Sequence, residues 1–189
     1  MNTDERWERV YTEAQGDANK VPWALSAPSP YLQNWLEQTA ATAGQSALVV
    51  ACGLGDDAEA LAAAGYQVTA FDLSETAIRW AKQRFPHSQV DYRLGDLFDL
   101  PADWENQFDL VFEFRTIQAL PLTVRETVMS QVAKPVVPGG TLLVITYLRD
   151  ENLVPDGPPW PLTDAELAYF ETLGLQVVRR DRFQNRDSA

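Results

Sequence analysis

From Ser46 onward the chain alternates short apolar runs with stretches of helical periodicity, a rhythm that few folds accommodate. The runs at 47–51, 67–71, 90–92, 108–112 and 141–147 read as strands. Between them lie helical patterns at 56–64, closed by Gly65, at 75–84, stopped by Pro86, and at 123–134, which opens on the capping-box spacing Thr123…Glu126. Such alternation predicts a Rossmann-like α/β fold: a doubly wound, mostly parallel sheet with helices on both faces. A last unit begins at a second capping-box spacing, Thr163…Glu166, carries Leu167 and Phe170 into Gly174, and returns as a strand at 175–179.

The first 44 residues have a different texture. Trp7, Val10, Tyr11 and Ala14 fall at helical spacing behind Asp4 and Glu5, whose charges suit a first turn. After a loop at 16–28 containing Trp23, Ser29 and Pro30 supply an N-cap and an N1 proline for a helix bearing Tyr31, Leu32, Trp35 and Leu36, which Gly44 ends. A length of 189 residues suits one domain. Residues 1–189 are therefore expected to form a single unit, with an N-terminal helical segment at 1–44 and the sheet core at 45–189.

Composition removes several chemistries. The lone Cys52 excludes an internal disulfide and a Cys-rich zinc site, and the only histidine, His87, cannot alone build a His metal site, so no metal is expected. A net charge of -12 is the wrong sign for gripping phosphates, which argues against a nucleic-acid partner and for a small-molecule substrate. No run approaches the about 20 apolar residues of a bilayer span, and the acidic start lacks the basic region of a secretory signal. A cytoplasmic chain with no membrane partner is the expectation.

The run at 47–51 leads directly into Cys52-Gly53-Leu54-Gly55-Asp56-Asp57-Ala58 and then a helix, the context that a glycine-rich nucleoside loop requires. Gly53 and Gly55 allow a tight turn and close approach of a ligand. Asp72, nineteen residues beyond Gly53, ends the next strand, where its carboxylate can accept both ribose hydroxyls. The spacing also satisfies the relaxed dinucleotide fingerprint. However, Asp56 and Asp57 occupy the helix start on which a pyrophosphate would sit, which favours a cationic, phosphate-free cofactor. Gly95-Asp96-Leu97-Phe98 adds a further carboxylate for an adenine amino group, with Leu97 and Phe98 placed to cover the base.

Together with Phe71-Asp72-Leu73-Ser74, Phe108-Asp109-Leu110-Val111 and Pro138-Gly139-Gly140-Thr141, these motifs resemble the class I methyltransferases over residues 46–148. The resemblance implies S-adenosylmethionine as cofactor, a sheet ordered 3-2-1-4-5-7-6, and a Pro-Gly-Gly turn before strand 5. It implies a cofactor site at Ala51, Cys52, Gly53, Gly55, Asp72, Leu73, Asp96, Leu97 and Glu113. That family usually has an acidic residue where Ala51 stands and often a third glycine where Asp57 stands. The pattern Trp7…Tyr11…Pro22-Trp23…Pro28-Ser29-Pro30 is, more narrowly, similar to thiopurine, thiol and tellurite-resistance methyltransferases, which implies that Trp23 belongs to a lid over the cofactor.

Strand ends face the ligand crevice in such sheets, so Glu113, Phe114, Arg115 and Gln118 after the fourth strand and Tyr147, Leu148 and Arg149 after the fifth are the pocket candidates. Glu113, Arg115 and Tyr147 are the catalytic candidates. Glu113 is suited to a methionine ammonium or to a base, and Arg115 to a substrate anion or the methionine carboxylate. Cys52 has no basic neighbour and suits a tight turn better than nucleophilic attack. Three functions stay open: methyl transfer to a small thiol or other soft chalcogen, a silent cofactor-binding regulatory module, and an NAD-type oxidoreductase. Only ten residues follow Arg179, and 184–189 are polar, so a seventh strand barely fits. Either the family pattern is truncated here, leaving an open sheet edge for a partner subunit to cover in a homodimer, or the sequence ends early.

Overall fold

The computed structural model describes residues 3–39 and 44–183. Two helices, α1 (Thr3–Ala14) and α2 (Pro30–Gln38), precede the core. The core runs β1 (Ser46–Val50), α3 (Asp56–Ala63), β2 (Gln67–Asp72), α4 (Glu75–Arg84), β3 (Asp91–Leu94), β4 (Phe108–Phe114), α5 (Arg125–Ala133) and β5 (Val136–Ile145). Two single-turn helices follow, α6 (Asp164–Leu167) and α7 (Tyr169–Thr172). The five strands form one parallel sheet in the order β3-β2-β1-β4-β5. This is the expected doubly wound core, without a sixth or seventh strand among the described residues.

Period-two alternation divides the core between the sheet faces. Ala47 and Val49 of β1, with Leu110 and Phe112 of β4, pack under Leu32, Leu61 and Ile78 of α2, α3 and α4. Leu48, Val50 and Val111 point the other way, onto Val128, Met129 and Val132 of α5 and Phe170 of α7. Strands buried on both faces read as continuous apolar runs, which is why β1 was visible in the sequence. A third cluster, Tyr11, Ala14, Val21, Leu54 and Ala77, fastens α1 to α4 and to the loop after β1.

Several boundaries differ from expectation. The segment 175–179 forms no strand, since it has no ladder partner and Val177 and Val178 stand exposed. Helix α5 starts at Arg125 with Val124 at its N-cap, and Thr123 lies in a preceding 3₁₀ turn, so the first capping box does not form. The second does: Thr163 and Glu166 cap each other reciprocally. Helix α2 stops at Gln38, ahead of Gly44, while 40–43 lie outside the described residues. The Pro-Gly-Gly run is not a turn before β5 but an irregularity within it, where the register to β4 shifts and Gly139 takes φ +80°.

Among the described residues no strand pairs with the outer edge of β5, and a groove of about 1590 Å³ runs along it between α2, α7 and the segment 175–183. No described helix is long and apolar enough to cross a membrane.

Candidate active site

The loop leaving β1 is shaped by three left-handed residues: Ala51 (φ +48°), Gly53 (φ +53°) and Gly55 (φ +90°). A Cβ on Gly55 would run into the Tyr92 hydroxyl, which donates to Glu59 Oε1 at 2.7 Å, so the second glycine is required by packing as well as by backbone. Gly55→Ala is expected to lower unfolding free energy by about 2–4 kcal/mol in urea titrations. The double variant with Tyr92→Phe should lose less than the two single losses added together. Strict additivity would show that the hydroxyl does not matter to this glycine.

Asp72, 6 % exposed at the end of β2, accepts the Gly53 N–H on Oδ2 and the Ser74 N–H on Oδ1, both at 2.9 Å. Burial raises its pKa against the pull of those two N–H groups. Each oxygen keeps lone-pair capacity for a further donor. Burial, reinforced by the Asp72 charge, pushes the Cys52 thiol well above its ordinary value, which disfavours the thiolate that a nucleophile needs.

The two carboxylates at the head of α3 do not stand free. Arg84 grips Asp56 with both terminal nitrogens, at 2.6 and 2.7 Å, and also donates to the Leu54 carbonyl. Asp57 accepts the Ser29 N–H at 2.6 Å, and burial pushes its pKa up to about 6. The repulsion of a pyrophosphate is therefore weaker than the bare sequence implies, and other observations must decide between cofactors.

Helix α1 supplies side chains that the sequence did not mark as site residues. The Tyr11 hydroxyl lies 3.1 Å from where a Gly53 Cβ would be and accepts the Trp23 indole N–H at 2.7 Å. Trp23 meets the rings of Trp7 and Tyr11 edge to face, at 5.2 and 5.6 Å, and is 38 % exposed. No described acceptor takes the Tyr11 proton. Glu8 accepts from Ser74 Oγ at 2.6 Å and from the N–H and hydroxyl of Thr76, which moors α1 on the start of α4. Helical spacing placed Tyr11 on an apolar face; its hydroxyl partner lies twelve residues away and had no sequence signal.

Beyond β3, Asp96 accepts the Phe98 N–H at 2.8 Å and caps a 3₁₀ turn. Leu97, expected to cover a base, is packed into the core below the sheet, whereas Phe98 is 43 % exposed. Leu73 is half-buried beside Asp72. At the end of β4, Glu113 is fully buried: its Oε1 accepts the Thr116 N–H and, at 3.0 Å, the Ile117 N–H. Burial pushes its pKa up to about 7, opposed by those N–H groups and by Arg125. The carboxylate expected to meet a methionine ammonium, or to act as base, is thus turned under its own loop.

Arg115 and Tyr147 do come together, with the guanidinium carbon 4.2 Å from the Tyr147 ring centre. Gln118, 3 % exposed, holds this junction by accepting from Thr146 Oγ1 at 2.8 Å and from the Tyr147 N–H at 2.6 Å. Its carbonyl takes the Trp160 N–H, so the stiff stretch around Trp160 is tied beneath the same loop. The groove along β5 opens at this junction and does not extend to the glycine loop.

The thiopurine S-methyltransferase family profile matches residues 2–187, almost the whole chain. The chain belongs to that family. It is a class I S-adenosylmethionine-dependent methyltransferase. The methyltransferase is 29 % identical to the probable thiol methyltransferase 2 of Arabidopsis thaliana, over 87 % of its own length and 70 % of the relative's. It is 28 % identical to the thiopurine S-methyltransferase of Pseudomonas aeruginosa, over 87 % and 82 %. Magnesium protoporphyrin IX methyltransferase of Synechocystis shares the fold, with a TM-score of 0.69, 18 % identity, and coverage of 98 % and 79 %.

The donor set suits this cofactor. A buried carboxylate with spare lone pairs at the end of β2, a loop with left-handed residues at 51, 53 and 55, and a tyrosine proton without an acceptor among the described residues are what a ribose and an amino-acid tail can engage. When bound, S-adenosylmethionine supplies a methyl group on a sulfonium.

Proposed function

We propose that this methyltransferase is a cytoplasmic enzyme acting on a small acceptor whose nucleophile is a thiol or another soft chalcogen. Ala51, Cys52, Gly53, Gly55, Asp72, Leu73 and Asp96 would hold the cofactor, with Tyr11 and Trp23 as its lid. The observation that carries the reading is the state of Glu113, the carboxylate at the end of β4. It is enclosed and committed to Thr116 and Ile117, and the phenol ring of Tyr147 lies against Arg115. An alcohol or amine acceptor usually wants a base within hydrogen-bond reach, whereas a thiol ionises partly on its own near neutral pH. What remains for the protein is positioning in a water-poor crevice, which suits an in-line displacement. The acceptor sulfur forms the new S–C bond as the old one breaks. The bonding pair stays on the departing sulfur, and the thiol proton passes to water.

The test is formation of S-adenosylhomocysteine from 4-methylbenzenethiol, 4-methylphenol and 4-methylaniline. We expect the thiol to exceed the others by at least ~100-fold in kcat/KM, with a rate that rises with the thiolate fraction and then levels. Comparable turnover of the phenol, or a bell-shaped profile reporting an enzyme base, would overturn the reading.

A further inference from the structure

Residues 15–29 link α1 to α2 and carry Trp23. Their hydrogen bonds are mostly local: Asp17 caps the 3₁₀ turn Ala18–Lys20, the Val21 N–H returns to the Ala18 carbonyl at 3.1 Å, and Trp23 donates to Tyr11 of α1. Among the described residues a single hydrogen bond joins this segment to the sheet core, the one that the Ser29 N–H donates to Asp57 Oδ1 at 2.6 Å. The segment nonetheless lies on the glycine loop, since Val21 is buried in one cluster with Leu54 and Ala77.

Both ends of the segment are held by a carboxylate at the start of a helix. Ahead of it, Glu8 of α1 accepts from Ser74 and Thr76 at the head of α4, directly after β2 and Asp72. Behind it, Asp57 stands in the first turn of α3, directly after β1 and Gly55. Asp57 is kept there against its own preference. Asp56 is paired with Arg84, whereas no described cation pairs with Asp57, and burial, with Asp56 beside it, pushes its carboxyl up to about 6. Ser29 is equally committed. It is fully buried, its ψ of +130° is the extended value that the following Pro30 imposes, and its hydroxyl has no partner among the described residues. The backbone N–H is therefore the group that ties it down.

We propose that Asp57 is a positioning residue for the cofactor: by holding Ser29 it seats the Trp23 segment on the glycine loop, so that the loop and its cover act as one body. This rests on the reading of Trp23 as part of a lid and adds the residue that fastens that lid to the core. The role is one of geometry. What is needed at this point is an acceptor oxygen for Ser29, not a charge aimed at the cofactor.

The experiment measures S-adenosylhomocysteine affinity by calorimetry, and its release in a chase, for the natural protein, Asp57→Ala, Asp57→Asn, Ser29→Pro and Trp23→Ala. Asp57→Ala should raise Kd by ~10-fold, mostly through faster release, as expected for one lost hydrogen bond to a charged group. Asp57→Asn keeps an oxygen for the Ser29 N–H and should stay within about threefold of the natural protein. Ser29→Pro deletes the N–H from the other side, at a φ of −53° that proline adopts, and should weaken binding at least as much as Asp57→Ala. Added to Asp57→Ala, it should cost less than about threefold more, because the two changes break one contact. Equal losses in Asp57→Ala and Asp57→Asn would overturn the proposal, since the charge and not the contact would then matter. So would lowered melting temperatures in Asp57→Ala and Ser29→Pro with release within about twofold of the natural rate, which would make the contact purely structural. If Asp57→Ala does not fold, Ser29→Pro set against Asp57→Asn makes the same comparison. Trp23→Ala tests the underlying reading separately. Unchanged release in that variant alone dismisses the tryptophan as a lid and leaves the Asp57 clamp standing. Faster release in Trp23→Ala but not in Ser29→Pro keeps the lid and overturns the clamp.

Discussion

Replacing Asp72 with asparagine is expected to weaken S-adenosylhomocysteine binding by at least ~100-fold in isothermal titration, the largest loss of any single substitution in the crevice. A hydrogen bond to a charged group contributes about 1.5–3 kcal/mol, and each 1.4 kcal/mol is tenfold in affinity. If Asp72 holds the ribose as proposed, losing one such bond outright and the charge behind the other accounts for the effect. Asparagine fills the same volume, but one of its two ends must present an N–H where Gly53 or Ser74 already offers one, so a donor faces a donor. The loop after β1 then loses an anchor, and the melting temperature should fall by several degrees as well. The two roles separate experimentally. If Asp72 merely clamps Gly53 and Ser74, the variant will be less stable yet bind S-adenosylhomocysteine within about threefold of the natural protein, and its assignment to the ribose fails.

The parts of this molecule that could be read from sequence are those whose cause is local. The run Ala47–Val50 leads into Gly53 and Gly55 within a few residues, and Asp72 ends the next strand, so periodicity and turn chemistry located the loop and its acid without tertiary information. The fate of the other charges depended on residues far along the chain. Asp56 is neutralised by Arg84, 28 positions away, and Asp57 is occupied by Ser29, also 28 positions away. Neither pairing has a signature in composition or spacing. The stretch 175–179 failed for a complementary reason: its pattern of apolar residues suits a strand, but a strand exists only with a neighbour to share its ladder. Tyr11 illustrates the same limit within the site. Its place on a helix was legible, whereas the direction of its hydroxyl, toward Trp23 and Gly53, is a product of how α1 docks.

Glu113 should make the stability of this protein depend on pH in the direction opposite to that of most carboxylates. Its pKa rises from 4.5 to about 7 on folding, because burial outweighs the N–H groups of Ile117 and Thr116 and the charge of Arg125. Between those two values the native state holds a proton that the unfolded chain releases, so the stability contributed by this group is lost as pH rises through the window. The displacement corresponds to about 3 kcal/mol between pH 4.5 and 8. Asp57 also titrates upward, to about 6, and would confuse a single profile. It is common to both proteins when the natural chain is compared with Glu113→Gln, so the difference isolates Glu113. Glutamine keeps the oxygen that Thr116 and Ile117 need and removes the charge, with its amide replacing the Oε2 that has no partner. Urea unfolding at intervals from pH 5 to 8 should show the natural protein losing about 2–3 kcal/mol relative to the variant. Glu113→Leu should instead be less stable at every pH, by about 2–4 kcal/mol, because two backbone N–H groups lose their acceptor. Parallel profiles for the natural protein and Glu113→Gln would mean that the carboxylate is already ionised throughout. Its pairing with Arg125 would then dominate over burial, and the loop that presents Arg115 would be held by a full negative charge.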